Sequence, residues 1–392
     1  MSKLSDFSKT NTKLLFTPGP LTTSQGVKEA ALVDLGSRDN SFIEIIAGIR
    51  NDLLKLAHVN TPEYEAIIMQ GSGTFGIESV ISSVIPADGM LLNVINGAYG
   101  RRISQMARIH SIPLIELTCE ENELPDLAKI ESALMEIPEI THISVIHGET
   151  TTGLINPIEM IGEIAGRYNV PLIVDAMSTF GAYDIDIKKM NISYLISSSN
   201  KCIEGIPGFS FILARRSELE KCRNQARSLS LDIYDQWTGL NSNGQFRFTP
   251  PVQSLIAFAR ALKELDDEGG ILARSCRYEE NNRILVREMT ELGFELYLPD
   301  DVRGYIITSF IYPAHHNFSF EKFYSEINER GCVIYPGKLS KTDCFRIGNI
   351  GHLFPSDIIK LTTAIKEVLE LMEIQLNNRF KFKTSFDYEQ YV

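Results

Sequence analysis

The pattern that most constrains the fold of this chain runs from about residue 64 to residue 215. Short apolar runs alternate there with longer amphipathic segments, and the runs are EAIIM, LLNVIN, IPLIELT, HISVIHGE, PLIVDA, YLISSS and FSFILAR. Runs that are apolar throughout are typical of strands buried on both faces, and their alternation with helical segments is typical of parallel sheets. The sequence therefore predicts an α/β domain with a mainly parallel sheet.

A helical pattern follows between residues 250 and 295, where Leu, Ile and Ala recur at three- and four-residue spacing. This spacing predicts a long helix leading into a second domain, since 392 residues exceed what one core usually supports. Three strand-like runs and a closing helix near residue 370 predict that the second domain is a smaller α+β unit. We expect an N-terminal segment over residues 1–20, a large domain over 21–265, a small C-terminal domain over 266–375 and a tail over 376–392.

The charge of the chain limits its partners. It has 38 Lys and Arg against 50 Asp and Glu, a formal net charge of −12. An acidic chain is repelled by phosphate backbones and by anionic membranes. We therefore expect neither nucleic acid nor a membrane as a partner, and an anionic substrate would need a local group of arginines.

The cysteines and the N-terminus bear on the compartment. The six cysteines are scattered, without a C-x-x-C pair or a Cys/His spacing typical of zinc, so we expect free thiols and no metal site. The opening MSKLSDFSKTNTK lacks the apolar run of a signal peptide, and no stretch reaches the roughly 20 apolar residues of a membrane helix. The cytoplasm is the expected location.

Three segments at the ends of predicted strands could form one site, because ligands of open α/β sheets bind beyond the carboxyl ends of the strands. The first is QGSGTFGIESV, where Ser72, Gly73 and Thr74 lie between a strand and a helix. The unpaired N–H groups of a helix N-terminus suit a phosphate, although a glycine-rich turn is commonly only structural. The segment matches neither the P-loop nor the dinucleotide pattern, so a monophosphate fits better than a nucleotide.

Asp175 and Lys201 lie in the other two segments, PLIVDAMSTF and YLISSSNKCIEG. Asp175 ends an apolar run, where it is either a structural ion pair or helix cap, or the partner of the pyridinium nitrogen of pyridoxal phosphate (PLP). Lys201 lies among small residues between two strands, and is either a solvated lysine or one that binds PLP and moves protons. The order of the three segments favours the PLP site.

Two further residues fit such a site. Arg346 is flanked by Phe345 and Ile347, where a guanidinium suits bidentate binding of a carboxylate or phosphonate; an outward-facing strand arginine is the alternative. Tyr99, in NGAYGRR, has a ring that could stack on a flat cofactor, and a packed core tyrosine is the alternative. The residues alone leave both alternatives open.

Taken together, the motifs resemble a known family. From about residue 13 to about residue 370, the chain is similar to the 2-aminoethylphosphonate:pyruvate transaminases, which are fold-type-I PLP-dependent aminotransferases; the motifs are LLFTPGPLTTS, QGSGTFGIESV, HGETTTGLINPI, VDAMSTFGAYDID, SSSNKCIEGIPGFSF, LDIYDQW, QFRFTPP and IYPGKLSKTDCFRIGNIG. The resemblance implies a large domain with a mainly parallel seven-stranded sheet and a smaller C-terminal α+β domain. It also implies the transfer of an amino group from 2-aminoethylphosphonate to pyruvate, giving phosphonoacetaldehyde and L-alanine.

The resemblance further implies roles for individual residues. Lys201 matches the lysine that binds PLP as a Schiff base, and Asp175 matches the aspartate on the pyridine nitrogen. Arg346 matches the arginine for the substrate's acid group, and Arg38 is either a second phosphonate contact or part of a surface salt bridge. The other implied cofactor contacts are Ser72, Gly73 and Thr74 around the phosphate, Asn200 near it, Tyr99 and Met177 on the two ring faces, Thr150 near the phenolic oxygen, and Thr249 from a neighbouring subunit. Thr249 therefore implies a homodimer with shared active sites.

Other functions remain open at this point. An alanine:glyoxylate or serine:pyruvate aminotransferase would share the cofactor site and differ in the substrate pocket. A cysteine desulfurase would need a cysteine on a mobile loop, and none is placed for it. A non-catalytic PLP-binding protein would share the fold, although Lys201, Asp175 and Arg346 together argue against it.

Overall fold

The computed structural model describes residues 13–337, 339 and 342–376, so the predicted tail lies almost wholly outside the described residues. The helices of this part are Gln25–Ala30 (α1), Asn40–Leu56 (α2), Gly73–Val84 (α3), Ala98–Ile109 (α4), Leu127–Glu136 (α5), Ile158–Arg167 (α6), Arg216–Lys221 (α7), Ile233–Asn243 (α8), Val252–Glu268 (α9), Gly270–Glu291 (α10), Phe320–Glu329 (α11) and Pro355–Leu371 (α12). The strands are Leu14–Leu15 (β1), Tyr64–Gln70 (β2), Met90–Ile95 (β3), Leu114–Thr118 (β4), Ile140–Ile146 (β5), Gly148–Glu149 (β6), Leu154–Ile155 (β7), Leu172–Asp175 (β8), Ile192–Ser198 (β9), Phe209–Arg215 (β10), Ile307–Ile311 (β11), Cys332–Val333 (β12), Tyr335–Pro336 (β13) and Cys344–Gly348 (β14).

The central sheet has seven strands in the order β2-β10-β9-β8-β5-β3-β4. Strand β10 is antiparallel to both of its neighbours, and the other adjacent pairs are parallel. Strands such as β8 and β9 are buried along their whole length, as expected for apolar runs covered on both faces. The predicted α/β fold with a mainly parallel seven-stranded sheet is confirmed, and it brings the carboxyl ends of β2, β5, β8 and β9 to one edge.

A smaller antiparallel sheet, in the order β11-β14-β13, lies in the C-terminal part of the chain. Its strands and helices α10, α11 and α12 enclose a second hydrophobic core that contains Phe294, Phe310 and Phe345. Strand β1 pairs with β12, so the N-terminal strand is attached to this part of the chain. The domain boundaries given above stay a prediction.

The long helix predicted between residues 250 and 295 is wrong in one respect, because the chain forms two helices there. Helix α9 ends at Glu268 and α10 begins at Gly270, and both Gly269 and Gly270 have positive φ angles, 112° and 77°. Glycine adopts this backbone conformation without the steric cost that a side chain would add. The glycine pair therefore ends the helix that packs in the first core and starts the one that reaches the second.

None of the helices in the described part of the chain is long and apolar enough to cross a membrane. Within the same residues, no group of three or more His, Cys, Asp and Glu side chains is arranged to hold a metal ion.

Candidate active site

A cavity at the carboxyl edge of the central sheet brings together most of the predicted site residues. It is lined by nine of them, namely Ser72, Gly73, Thr74, Tyr99, Thr150, Asp175, Met177, Asn200 and Lys201. They come from the segments that follow β2, β3, β5, β8 and β9, which are far apart in sequence. Parallel strands place the turns that follow them at one edge, which is why these segments meet.

The turn after β2 leads into helix α3 with its N-terminus at the cavity. Ser72 is the N-cap residue with an extended backbone (φ −68°, ψ 173°), and the first N–H groups of the helix have no intrahelical acceptor. A Cβ on Gly73 would lie 2.5 Å from the Met177 sulfur, so a larger residue here would displace the Met177 side chain from this turn. The turn has the donors and the positive dipole end that an anionic group requires.

Asp175 ends β8 and points its carboxylate into the cavity. It is 7% exposed, and its Oδ1 accepts a hydrogen bond from the Met177 backbone N–H at 2.9 Å. Burial is the main cause that raises the pKa of Asp175 to about 7; the Glu149 carboxylate contributes to the rise, and the Met177 N–H and Lys201 oppose it. A buried carboxylate with a raised pKa is stabilised when a cationic group binds beside it.

The raised pKa of Asp175 predicts a pH-dependent stability for the protein prepared without cofactor. The pKa in the folded chain, about 7, exceeds the ordinary 3.8, so the folded state holds this proton more tightly than the unfolded state. The resulting stabilisation is complete below the unfolded pKa and is lost as the pH rises through about 7. Urea denaturation should show that the unfolding free energy falls between about pH 5 and about pH 8. We expect this fall to be roughly 2 kcal/mol larger in wild type than in Asp175→Asn. Identical pH profiles would contradict this account.

Lys201 lies in the turn that follows β9 and lines the cavity. Its Nζ donates a hydrogen bond to the Pro18 carbonyl oxygen. The neighbouring Gly19 has a φ of 109°, and a Cβ there would lie 3.1 Å from Nζ. Asn200, also at the cavity, accepts a hydrogen bond from the Ser198 hydroxyl at 3.2 Å. The N-terminal segment thus covers Lys201, a contact between distant segments that no local sequence pattern predicts.

Arg346 lies on β14 and is 2% exposed, which excludes the outward-facing alternative. Its Nη1 donates to the Thr150 carbonyl oxygen at 2.8 Å, and its Nε donates to the Pro336 carbonyl oxygen at 3.1 Å. Burial lowers the pKa of Arg346, and Tyr99 and Glu149 are close enough to oppose the shift. Arg346 is therefore held against the cavity wall at Thr150, whose hydroxyl lies 2.7 Å from the Ser178 hydroxyl.

Arg102 and Glu149 belong to the same site and were not predicted. The Arg102 guanidinium lies 4.8 Å over the Tyr99 ring and donates to the Thr74 hydroxyl at 3.2 Å, so it joins the stacking ring to the α3 turn. Glu149 is fully buried, and its Oε1 accepts hydrogen bonds from the backbone and the hydroxyl of Thr151. The i, i+3 spacing of Tyr99 and Arg102 places them on one helix face and could have identified Arg102. An acidic residue three positions after the buried strand β5, at the end of β6, could have identified Glu149.

Arg346 contacts Thr150 at the cavity wall without lining the cavity itself. Thr249 and Arg38 do not line the cavity either. Both are exposed, and the Thr249 carbonyl oxygen accepts a hydrogen bond from Gln70 at 2.8 Å, at the end of β2. A residue that contacts the cofactor of a neighbouring subunit would be exposed in a single chain, so this position is compatible with the predicted role of Thr249. The role of Arg38 stays a prediction.

Comparison with known proteins defines the class. The sequence model of the class-V aminotransferases matches residues 26–341. A ureidoglycine–glyoxylate aminotransferase from Bacillus subtilis has a TM-score of 0.86 at 22% identity, with 94% of this chain and 95% of that chain covered. A pyridoxamine–pyruvate aminotransferase from Mesorhizobium loti has the same TM-score and coverage at 24% identity. The chain has the fold-type-I architecture and belongs to the class-V aminotransferase family.

Relatives with higher sequence identity narrow the comparison. A protein from Bacillus cytotoxicus named 2-aminoethylphosphonate–pyruvate transaminase is 50% identical over 355 residues, which are 90% of this chain and 97% of the relative. A protein of the same name from Vibrio vulnificus is 49% identical over 361 residues, 92% of this chain and 98% of the relative. A third, from Klebsiella pneumoniae, is 49% identical over 360 residues, 91% of this chain and 97% of the relative. The resemblance predicted from the motifs is confirmed.

Proposed function

We propose that this protein transfers the amino group of 2-aminoethylphosphonate to pyruvate, giving phosphonoacetaldehyde and L-alanine. The observation that carries the proposal is identity of about one half, over nine tenths of the chain, to relatives that bear the name of this activity. Purified protein should convert this pair of substrates faster than serine with pyruvate or alanine with glyoxylate. Faster turnover of either of the other pairs would replace the proposal with the corresponding aminotransferase.

The residues of the cavity fit PLP as the cofactor. PLP has a phosphate, a ring nitrogen that takes up a proton and an aldehyde, and each has a matching partner. The start of helix α3 with Arg102 suits the phosphate, Asp175 suits the protonated ring nitrogen, and Lys201 suits the aldehyde. When bound, PLP supplies a ring that accepts the electron pair of a C–H bond broken beside the substrate nitrogen.

Lys201 is proposed to act at two stages. Its Nζ first holds the cofactor through a covalent bond to the aldehyde carbon. When it is not bound to the cofactor, the same Nζ would carry the proton taken from the substrate carbon. In the structure Nζ donates a hydrogen bond to the Pro18 carbonyl oxygen, which holds it at the cavity.

Arg346 is proposed to bind the acid group of both substrates. A guanidinium has five N–H donors, and the contacts with Thr150 and Pro336 use two of them. Three donors remain for a phosphonate or a carboxylate. One permanently charged, planar group can therefore accept both acids in turn.

We infer a homodimer in which Thr249 reaches the partner's cofactor. Thr249 and Phe248 are exposed at the end of β2, and the large apolar residues Leu32 and Phe75 are also exposed, at 82% and 51%. Exposed apolar side chains that form a contiguous patch are typical of interaction surfaces, and we propose that these residues lie on one. Light scattering should give a mass of about twice 44.0 kDa. A fully active single-chain species would contradict this inference.

We propose the cytoplasm as the location, because the cysteines are not paired in disulfides. All six are free thiols in the structure. Free thiols persist in reducing compartments, whereas oxidising ones favour disulfides. Cell fractionation that recovered the protein outside the cytoplasm would contradict this proposal.

A further inference from the structure

Four charged side chains, two acidic and two basic, lie together behind the loop that carries Lys201; Glu204 and Arg274 are buried, and Arg277 and Glu268 are partly buried. Glu204 belongs to that loop, Glu268 ends α9, and Arg274 and Arg277 lie on α10. The Arg277 Nη2 lies 2.7 Å from Glu204 Oε1, and its Nε lies 2.7 Å from Glu268 Oε1. The Arg274 Nε lies 2.6 Å from Glu268 Oε2. These four residues are called the Glu204 cluster below, and their charges balance.

The Glu204 cluster holds the backbone directly after Lys201. The Cys202 carbonyl oxygen accepts a hydrogen bond from Arg274 Nη1 at 2.6 Å, and the Glu204 N–H donates to the Lys201 carbonyl oxygen at 2.8 Å. The turn from Lys201 to Glu204 is thus closed on itself and attached to α10 at two points. The direction in which Lys201 leaves the backbone depends on this attachment.

The backbone conformation of Glu204 indicates that its side chain is required at this position. Its φ is 66°, in the left-handed region where glycine is ordinary and other residues are uncommon. Such a residue persists only where its surroundings hold it, and these positions are enriched at functional sites. The Glu204 carboxylate, with three described donors around it, provides that restraint.

Tyr278 extends the cluster to a second segment of the site. Its hydroxyl donates to Glu204 Oε1 at 2.6 Å and accepts a hydrogen bond from the Gly351 N–H at 3.1 Å. Gly351 follows β14, the strand that carries Arg346. The same cluster therefore contacts the Lys201 loop and the segment after the Arg346 strand.

Stability alone is a weak reason for such a cluster. The free energy lost when charges leave water is about as large as the free energy gained from their attraction. Apolar replacements of buried ion pairs are therefore often neutral or stabilising. A fixed geometry is what the charges provide here, because each guanidinium donates to more than one partner. The geometry they fix is that of the Lys201 turn.

We propose that Glu204 is a positioning residue for Lys201, acting through its cluster with Arg274, Arg277 and Glu268. It holds the Cys202 and Glu204 peptides so that Lys201 keeps its place at the cavity. The inference rests on the proposed function, in which Lys201 binds the cofactor and carries the proton.

Glu204→Gln in the PLP-loaded enzyme tests the proposal, because glutamine keeps the shape and removes the charge. We expect kcat per bound cofactor to fall about 10- to 100-fold, as a small misplacement of a reacting group does. The KM values for 2-aminoethylphosphonate and pyruvate should change by less than about threefold, since Arg346 is untouched. The circular dichroism of the bound cofactor near roughly 400 to 430 nm should change as well, because it reports the ring's surroundings.

Tyr278→Phe removes one hydroxyl from the same cluster without changing charge, and it decides the question if Glu204→Gln yields no folded protein. It should lower kcat in the same direction and by a smaller factor. Glu280→Gln, on the solvent side of α10 where Glu280 pairs with Arg283 at 2.7 Å, is the matched control and should leave both readouts unchanged. If the wild type transaminates and both cluster variants keep its kcat and dichroism, the positioning role is wrong, even if the variants melt at lower temperatures. The proposed function is then unaffected. A wild type without the cofactor band overturns the proposed function, and this inference with it.

Discussion

Replacing Lys201 by alanine is expected to lower kcat for 2-aminoethylphosphonate and pyruvate by at least roughly 10,000-fold. The loss combines the covalent attachment of PLP with the proton transfer, and general acid–base catalysis alone contributes up to about that factor. The absorbance band near roughly 400 to 430 nm, which belongs to the lysine-bound cofactor, should be absent. Stopped assays with long incubation and a spectrum of the PLP-treated variant measure both effects.

Lys201→Arg is the matched control for charge. It keeps a cation beside Asp175 but removes the amine that reacts with the aldehyde, so it should be as inactive as alanine. Lys188, an exposed lysine paired with Glu63 at 2.9 Å, should tolerate alanine without loss. Normal turnover by either Lys201 variant would contradict the mechanism as a whole.

Replacing Arg346 by glutamine is expected to lower kcat/KM for both substrates together by roughly 100- to 1,000-fold, equivalent to about 3 to 4 kcal/mol. The buried guanidinium has three donors left for an acid group, and glutamine retains the bulk without the charge. Steady-state kinetics with each substrate varied in turn measure the effect. The absorbance of bound cofactor should be retained, since Arg346 does not line the cofactor cavity.

The account specifically predicts that kcat/KM falls together for the phosphonate and the carboxylate substrate. Arg346→Lys keeps the charge but not the planar fork, and should recover only part of the activity. If Arg346→Gln weakened the use of one substrate and left the other at the wild-type level, a second acid-binding residue would have to be sought. Arg38 is the residue the sequence suggests for that role.

The sequence predicted the parts of the site that follow strands. Asp175 ends an apolar run and Lys201 lies in the small-residue turn after another, and parallel strands bring such positions to one edge of the sheet. The same pattern predicted that the mainly parallel sheet lies between about residue 64 and residue 215. These features depend on local sequence, so periodicity and chain order are enough to locate them.

What the sequence did not predict depends on contacts between distant segments. The Pro18 carbonyl oxygen that accepts a hydrogen bond from Lys201, and the Thr150 carbonyl oxygen that accepts one from Arg346, lie 183 and 196 positions away. No local pattern encodes such pairs. The break at Gly269 and Gly270 is a different case, since a glycine pair is a local helix-ending signal that the strong periodicity around it obscured.

The measurement that tests the central claim most directly is a spectral titration of the PLP-loaded protein with one substrate at a time. Addition of 2-aminoethylphosphonate alone should abolish the band near roughly 400 to 430 nm, as the amino group passes to the cofactor, and later addition of pyruvate should restore it with formation of alanine. This sequence of loss and return requires both half-reactions at one site. A band that 2-aminoethylphosphonate leaves unchanged while another amine abolishes it would contradict the account.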